Sequence, residues 1–166
     1  FVRGISIEGR INYNQLVQLE TGFTFQKSTY DRSVEWSAEL EGNKNFLRVP
    51  DVYGYYTLNI FPKRKYNIIF SGVITGAMKV PHYGGAAGVS KDVVNTTQTY
   101  VNNNVKLAYR FSLKQISQEL ELSIGVKNYL NQYQDDFDIG KNRDSNYIYG
   151  PLTPRSYFLG LKFGLM

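Results

Sequence analysis

The chain has 166 residues, a formal net charge of +5, 15% aromatics with 14 Tyr and 10 Phe, one His and no Cys. That composition excludes cysteine nucleophiles, thiolate zinc sites, disulfides and multi-histidine metal centres. It also lacks any run near the ~18 apolar residues of a membrane helix. Barrel strands escape that test, because lipid-facing and water-facing residues alternate along them.

Seven segments alternate apolar with polar at period 2, each long enough to cross a bilayer as a tilted strand of about 9 to 11 residues. Val2 to Tyr13 sets Ile5, Ile7, Ile11 and Tyr13 against Ser6, Glu8, Arg10 and Asn12. Leu16 to Lys27 sets Val17, Leu19, Phe23 and Phe25 against Gln18, Glu20, Thr24 and Gln26. Val52 to Phe61 carries Val52, Tyr56, Leu58 and Ile60, and Lys65 to Lys79 carries Tyr66, Ile68, Phe70, Ile74 and Met78, with Ile69 and Val73 as exceptions. Tyr100 to Phe111, Gln118 to Asn128 and Arg155 to Leu165 complete the set. Their apolar faces carry residues such as Leu107 and Tyr109, Leu120 and Leu122, and Leu159 and Leu161.

The connections between these segments alternate in length. Asn14–Gln15, Pro62–Arg64 and Ser112–Ser117 are short, whereas Ser28–Asp51, Val80–Thr99 and Tyr129–Pro154 are long. Short periplasmic turns and long extracellular loops give an antiparallel outer-membrane barrel this rhythm. Aromatics gather near strand ends, with Tyr13, Phe61, Tyr66, Tyr109 and Phe111 at one rim and Tyr53, Tyr83, Tyr100, Tyr129 and Tyr157 at the other. Two such belts are expected where strands cross both interfaces. The fold class predicted is all-β, an antiparallel transmembrane β-barrel portion of about seven strands in an up-and-down meander. A soluble barrel also alternates, but loops this long on a single rim are uncommon in compact soluble domains.

Chemistry-bearing motifs are sparse. Tyr83-Gly84-Gly85-Ala86-Ala87-Gly88 lacks the Gly-Lys-Ser/Thr of a phosphate loop, and His82 has no Gly-x-Ser-x-Gly elbow to serve. Asp135, Asp136 and Asp138 lack a calcium loop's spacing and its bidentate Glu. Glu119 and Glu121 read as a water-facing wall and not as a glycosidase pair. Basic residues are scattered, and Lys63-Arg64-Lys65 reads as a solvated turn, so no nucleic-acid partner is expected. The sequence predicts no enzyme, no cofactor and no metal site.

Gly125 to Asn131 spells G-V-x-N-x-x-N, and Pro154 to Phe163 spells P-R-x-Y-x-x-G-L-x-F. With the long loop between them, these residues resemble the C-terminal end of TonB-dependent outer-membrane receptors. Tyr53 to Asn59 and Gly76 to His82 resemble strands and loop edges of the same family. The resemblance implies a segment, residues 1–166, from the end of a barrel of roughly 22 strands, with the plug and the earlier strands lying outside it. It further implies uptake of a scarce small-molecule or metal-chelate ligand such as a siderophore, haem, cobalamin or glycan. The implied partners are outer-membrane lipid, that ligand, and the TonB energy transducer acting through the plug.

The rival readings are a self-contained eight-stranded outer-membrane barrel, with Ser33 to Glu41 as its eighth strand, and a soluble ligand-binding barrel. Exposed loops on a rigid scaffold are where binding groups collect. The expected ligand-binding residues are Trp36 and Arg48 in the first long loop and His82 and Tyr83 in the second. The third loop adds Asp135, Asp136, Asp138 and Arg143.

Overall fold

In the computed structural model, which describes residues 1–86, 88–113 and 118–165, the chain is all-β, with no helix among those residues. The strands are β1 (Val2–Tyr13), β2 (Val17–Val34), β3 (Asn43–Asn45), β4 (Val52–Ile60), β5 (Tyr66–Thr75), β6 (Lys79–His82), β7 (Val93–Thr96), β8 (Tyr100–Leu113), β9 (Gln118–Lys127) and β10 (Ser156–Leu165). All seven expected strands are present. They form one antiparallel meander, β1-β2-β4-β5-β8-β9-β10, whose outer strands β1 and β10 do not pair with each other.

Cross-strand pairing shows why the sequence alternates. One rung runs Tyr13, Val17, Ile60, Ile68, Leu107, Ile124, Leu159, apolar on all seven strands. The next rung on the same face is Ile11, Leu19, Leu58, Phe70, Val105, Val126, Tyr157. The opposite face carries ion pairs. Arg10 meets Glu20 at 3.0 Å, while Glu121 takes Lys106 at 2.8 Å and Arg110 at 3.1 Å. The period of two therefore sorts the sheet into an apolar side and a charged side.

The rungs also reveal an incline. The first begins at the short-turn end of β1 yet meets β10 at Leu159, well before that strand's Leu165 end. A drift of about one residue per strand, at about 3.3 Å per residue and about 4.8 Å between strands, tilts the strands by about 35°. Membrane barrels have strand tilts of about 35 to 45°.

Local chemistry fixes the register. Asn14 and Gln15 both adopt left-handed φ, 42° and 58°, and the Leu16 amide donates to the Tyr13 carbonyl at 2.8 Å. This is the type I′ geometry that matches strand twist. Gly125 lies beneath the Phe158 ring of the adjacent strand, and a Cβ there would sit 2.4 Å from it. Aromatic cover of a strand glycine restores the packing its missing side chain gives up.

Four expectations are corrected. The second strand does not end at Lys27 but runs 18 residues to Val34. Ser33 to Glu41 supplies no eighth strand, because Ser33 and Val34 finish β2 and 35–41 are bends and turns. The added strand is the three-residue β3, laid against the top of β2. The Val80–Thr99 connection is not open loop, since β6 and β7 form a separate two-stranded ladder within it. Tyr100 belongs to no interfacial belt: it is buried on the polar face against Gly150. Of the short connection Ser112–Ser117, residues 114–117 lie outside the described residues.

The short-turn rim keeps its aromatics. The Phe61 and Tyr66 rings meet edge-on at 5.3 Å, Tyr109 and Phe111 are 4.6 Å apart, and Tyr66 faces Tyr109 across the β5–β8 ladder.

Candidate functional site

The three long connections, 35–51, 76–99 and 128–155, rise from the same rim and bind one another. The base of the third is set by Asn128, which is 1% exposed with φ of 48°. Its Nδ2 donates to the Gln132 and Thr153 carbonyls at 3.0 and 2.9 Å, and its Oδ1 accepts the Gln132 amide at 3.0 Å. Asn131 Oδ1 accepts the Arg155 amide at 2.9 Å. The two asparagines of the G-V-x-N-x-x-N pattern thus tie both ends of the loop together. Left-handed backbone is better tolerated by Asn than by most residues, which suits this choice.

Gln134 is the interior counterpart, with its side chain fully buried. Its Nε2 donates to the Tyr147 carbonyl at 3.1 Å, and its Oε1 accepts the amides of Tyr149 and Gly150 at 2.8 and 3.1 Å. Nothing in the sequence distinguishes this glutamine from a solvated one.

His82 and Asp138 join the second connection to the third. Their Nε2 and Oδ2 atoms are 2.9 Å apart, with side chains 9% and 8% exposed. Tyr147 stacks on the imidazole at 3.7 Å and 8°. The Tyr147 hydroxyl takes a hydrogen bond from Asn95 at 2.9 Å and gives one to Asp136 at 3.2 Å. Tyr149 also donates to Asp136, at 2.6 Å. Burial, followed by Asp136, pushes the Tyr149 phenol up, so it remains a neutral donor. The Tyr83 amide donates to Asp144 at 3.0 Å, and the Asp144 amide donates to Asp138 at 2.9 Å.

The His82 hydrogen bond, then the Asp144 amide, hold the Asp138 carboxyl below its ordinary 3.8. A lowered carboxyl pKa stabilises the folded form above the ordinary value and loses that stabilisation as pH falls through the lowered one. The cross-loop contact will therefore survive acidification to pH 4 and release below it. Hydrogen exchange of the Asp144 amide, which Asp138 accepts, across pH 2 to 6 tests this, and release already complete at pH 5 would contradict it.

Arg48 reaches all three connections. Its amide donates to the Lys79 carbonyl at 2.7 Å, Nη1 donates to the Ile148 carbonyl at 3.1 Å, and Nη2 donates to the Asn146 carbonyl. Beside it opens a groove of about 490 Å³ lined by Trp36, Leu47, Arg48, Pro81, Tyr83, Ser145, Asn146 and Ile148. Trp36 is held from behind by Tyr30, 6.1 Å between rings, and Tyr30 packs tilted against Phe46 at 4.3 Å.

The residues expected from sequence thus divide. Trp36, Arg48 and Tyr83 line one groove, whereas His82, Asp136 and Asp138 are engaged in the scaffold beneath it. Asp135 is exposed outside the groove, and Arg143 donates to the nearby Gly140 carbonyl at 3.1 Å. Leu47, Pro81, Ser145, Asn146 and Ile148 carried no sequence signal, being ordinary loop residues until the fold assembles them.

No protein-family model and no curated protein matches the chain. Among solved structures, the siderophore receptor PirA from Acinetobacter baumannii is similar, with a TM-score of 0.65 at 18% identity, covering 96% of this chain and 21% of that one. The resemblance to receptors read from Gly125–Asn131 and Pro154–Phe163 is borne out in the fold, and the chain spans about a fifth of the length of one siderophore receptor.

Proposed function

We propose that this chain is the C-terminal barrel segment of an outer-membrane receptor that takes up a scarce small-molecule or metal-chelate ligand, energised by TonB through a plug domain. One observation carries the reading: two apolar rungs cross seven strands, and three long connections knit together on a single rim. The apolar face lies open, with Leu159 83% and Leu161 69% exposed. Apolar patches of that extent mark a membrane or a protein interface. Backbone groups in hydrocarbon must all be paired, so β1 and β10 need further strands beside them. The likeness to a siderophore receptor supports a chelate as ligand.

The test uses the complete protein bearing this sequence. Replacing 129–154 by a short Gly-Ser link is expected to leave the barrel assembled, with heat-modifiable mobility, while ligand binding and uptake fall at least tenfold. Replacing Lys63 and Arg64 in a short turn is expected to change neither. Unchanged binding after removal of all three long connections would overturn the receptor reading.

A further inference from the structure

The groove shared by the three connections has a charge imbalance. Arg48 is its one charged lining residue, and among the described residues no carboxylate lies within ion-pair distance of that guanidinium. The carbonyls of Asn146 and Ile148 orient it without neutralising it. Three acids of the third connection are held by other groups: Asp138 by His82, Asp136 by Tyr147 and Tyr149, and Asp144 by the Tyr83 and Asn146 amides. Around the cation stand the rings of Trp36 and Tyr83, the apolar Leu47, Pro81 and Ile148, and the polar Ser145 and Asn146. Arg48 is exposed and held in left-handed backbone at φ of 61°. That conformation is uncommon for a non-glycine residue and marks a position fixed by its surroundings.

We propose that this groove binds an anionic, aromatic-bearing ligand: its negative oxygens meet Arg48, and its rings pack against Trp36 and Tyr83. Guanidinium suits this role because its planar fork pairs with two oxygens at once and stacks on rings. The proposal rests on the receptor reading above and narrows it, selecting anionic chelates such as a ferric tris-catecholate over neutral ones such as a ferric trihydroxamate.

Trp36 is the sole tryptophan of this sequence and lines the groove, so its fluorescence reports occupancy. In the complete protein, the quenching lost on Trp36→Phe isolates that signal. The two probes are a ferric tris-catecholate and a neutral ferric trihydroxamate of similar size. The anionic complex is expected to quench Trp36, with binding weakened at least tenfold by Arg48→Gln and further by Arg48→Glu. Arg48→Lys, which keeps the charge but loses the planar fork, should fall between the parent and Arg48→Gln. Equal or tighter binding of the neutral complex overturns the proposal. So does an Arg48→Lys defect as large as that of Arg48→Gln, since the positive charge would then add nothing to binding. Uptake is measured separately in energised and de-energised cells. Charge-selective binding without energised uptake overturns the transport reading and upholds the groove, whereas uptake indifferent to ligand charge and to Arg48→Gln does the reverse.

Discussion

Arginine introduced at Ile68, Phe70, Leu122 or Leu159 will destabilise the inserted barrel by about 2 to 4 kcal/mol near the bilayer midplane, and by less toward either rim. Ile68 and Leu159 share one seven-residue apolar rung, and Phe70 lies on the next. A guanidinium there must either desolvate or distort the lipid around it. Ser71→Arg is the matched control, since Ser71 lies on the charged face within the same strand. Asn67 and Glu121, which alternation alone offers as neutral sites, serve less well. Asn67 is nearly buried, and Glu121 holds Lys106 and Arg110, so a third cation would repel both. The measurement is a denaturant titration of the complete barrel in lipid vesicles, and equal costs on the two faces would refute the lipid assignment.

Gln134→Ala will unfold the third connection while leaving the strands paired. The substitution removes the partner of the buried Tyr147 carbonyl and of the half-buried amides of Tyr149 and Gly150. Each buried polar group left without a partner costs about 1 to 3 kcal/mol. Three of them exceed what a surface loop usually holds in reserve, so local opening precedes global unfolding. Gln134→Glu keeps the acceptor for both amides and loses only the donor to Tyr147, and should fall between the parent and the alanine variant. Proteolysis within 128–155, alongside hydrogen exchange of the Tyr149 and Gly150 amides, reads the outcome. Parent-like protection of those amides in Gln134→Ala would show that the clamp is dispensable.

How much of this was legible beforehand follows from where the sheet has one apolar and one polar face to impose a pattern. Alternation located β1, β4, β5, β8, β9 and β10 to within a few residues, because each puts apolar side chains on one face and polar ones on the other. The upper part of β2, Ser28 to Val34, continues the strand without alternating, since both of its faces lie beyond the apolar rungs. The hairpin of β6 and β7 escaped notice because each strand has four residues and β6 contains Pro81, which argues against a strand. Trp36, Arg48 and Tyr83 were legible as aromatic and cationic groups on one rim, and chain order showed which rim. Their meeting in one groove was not legible, because it depends on contacts such as that of Arg48 with Asn146 and Ile148, about a hundred residues away in sequence. His82 and Asp138 looked like ligand groups for the same reason that they pair: opposite charge tendencies lie within reach once the connections fold together.

The rungs also constrain how this chain can change length. A single residue inserted between Asn67 and Ser71 would carry Ile68 and Phe70, or everything beyond them, onto the charged face and put polar groups on the apolar one, because side chains repeat every second residue. Two inserted residues restore the sidedness at the expense of a bulge. Strand lengths in descendants of this sequence should therefore drift in even steps, whereas the rim connections are free to gain or lose residues one at a time. A library of single and double codon insertions, scored for barrel assembly, would display that parity directly as a sawtooth along β5 and a smooth profile from 35 to 47.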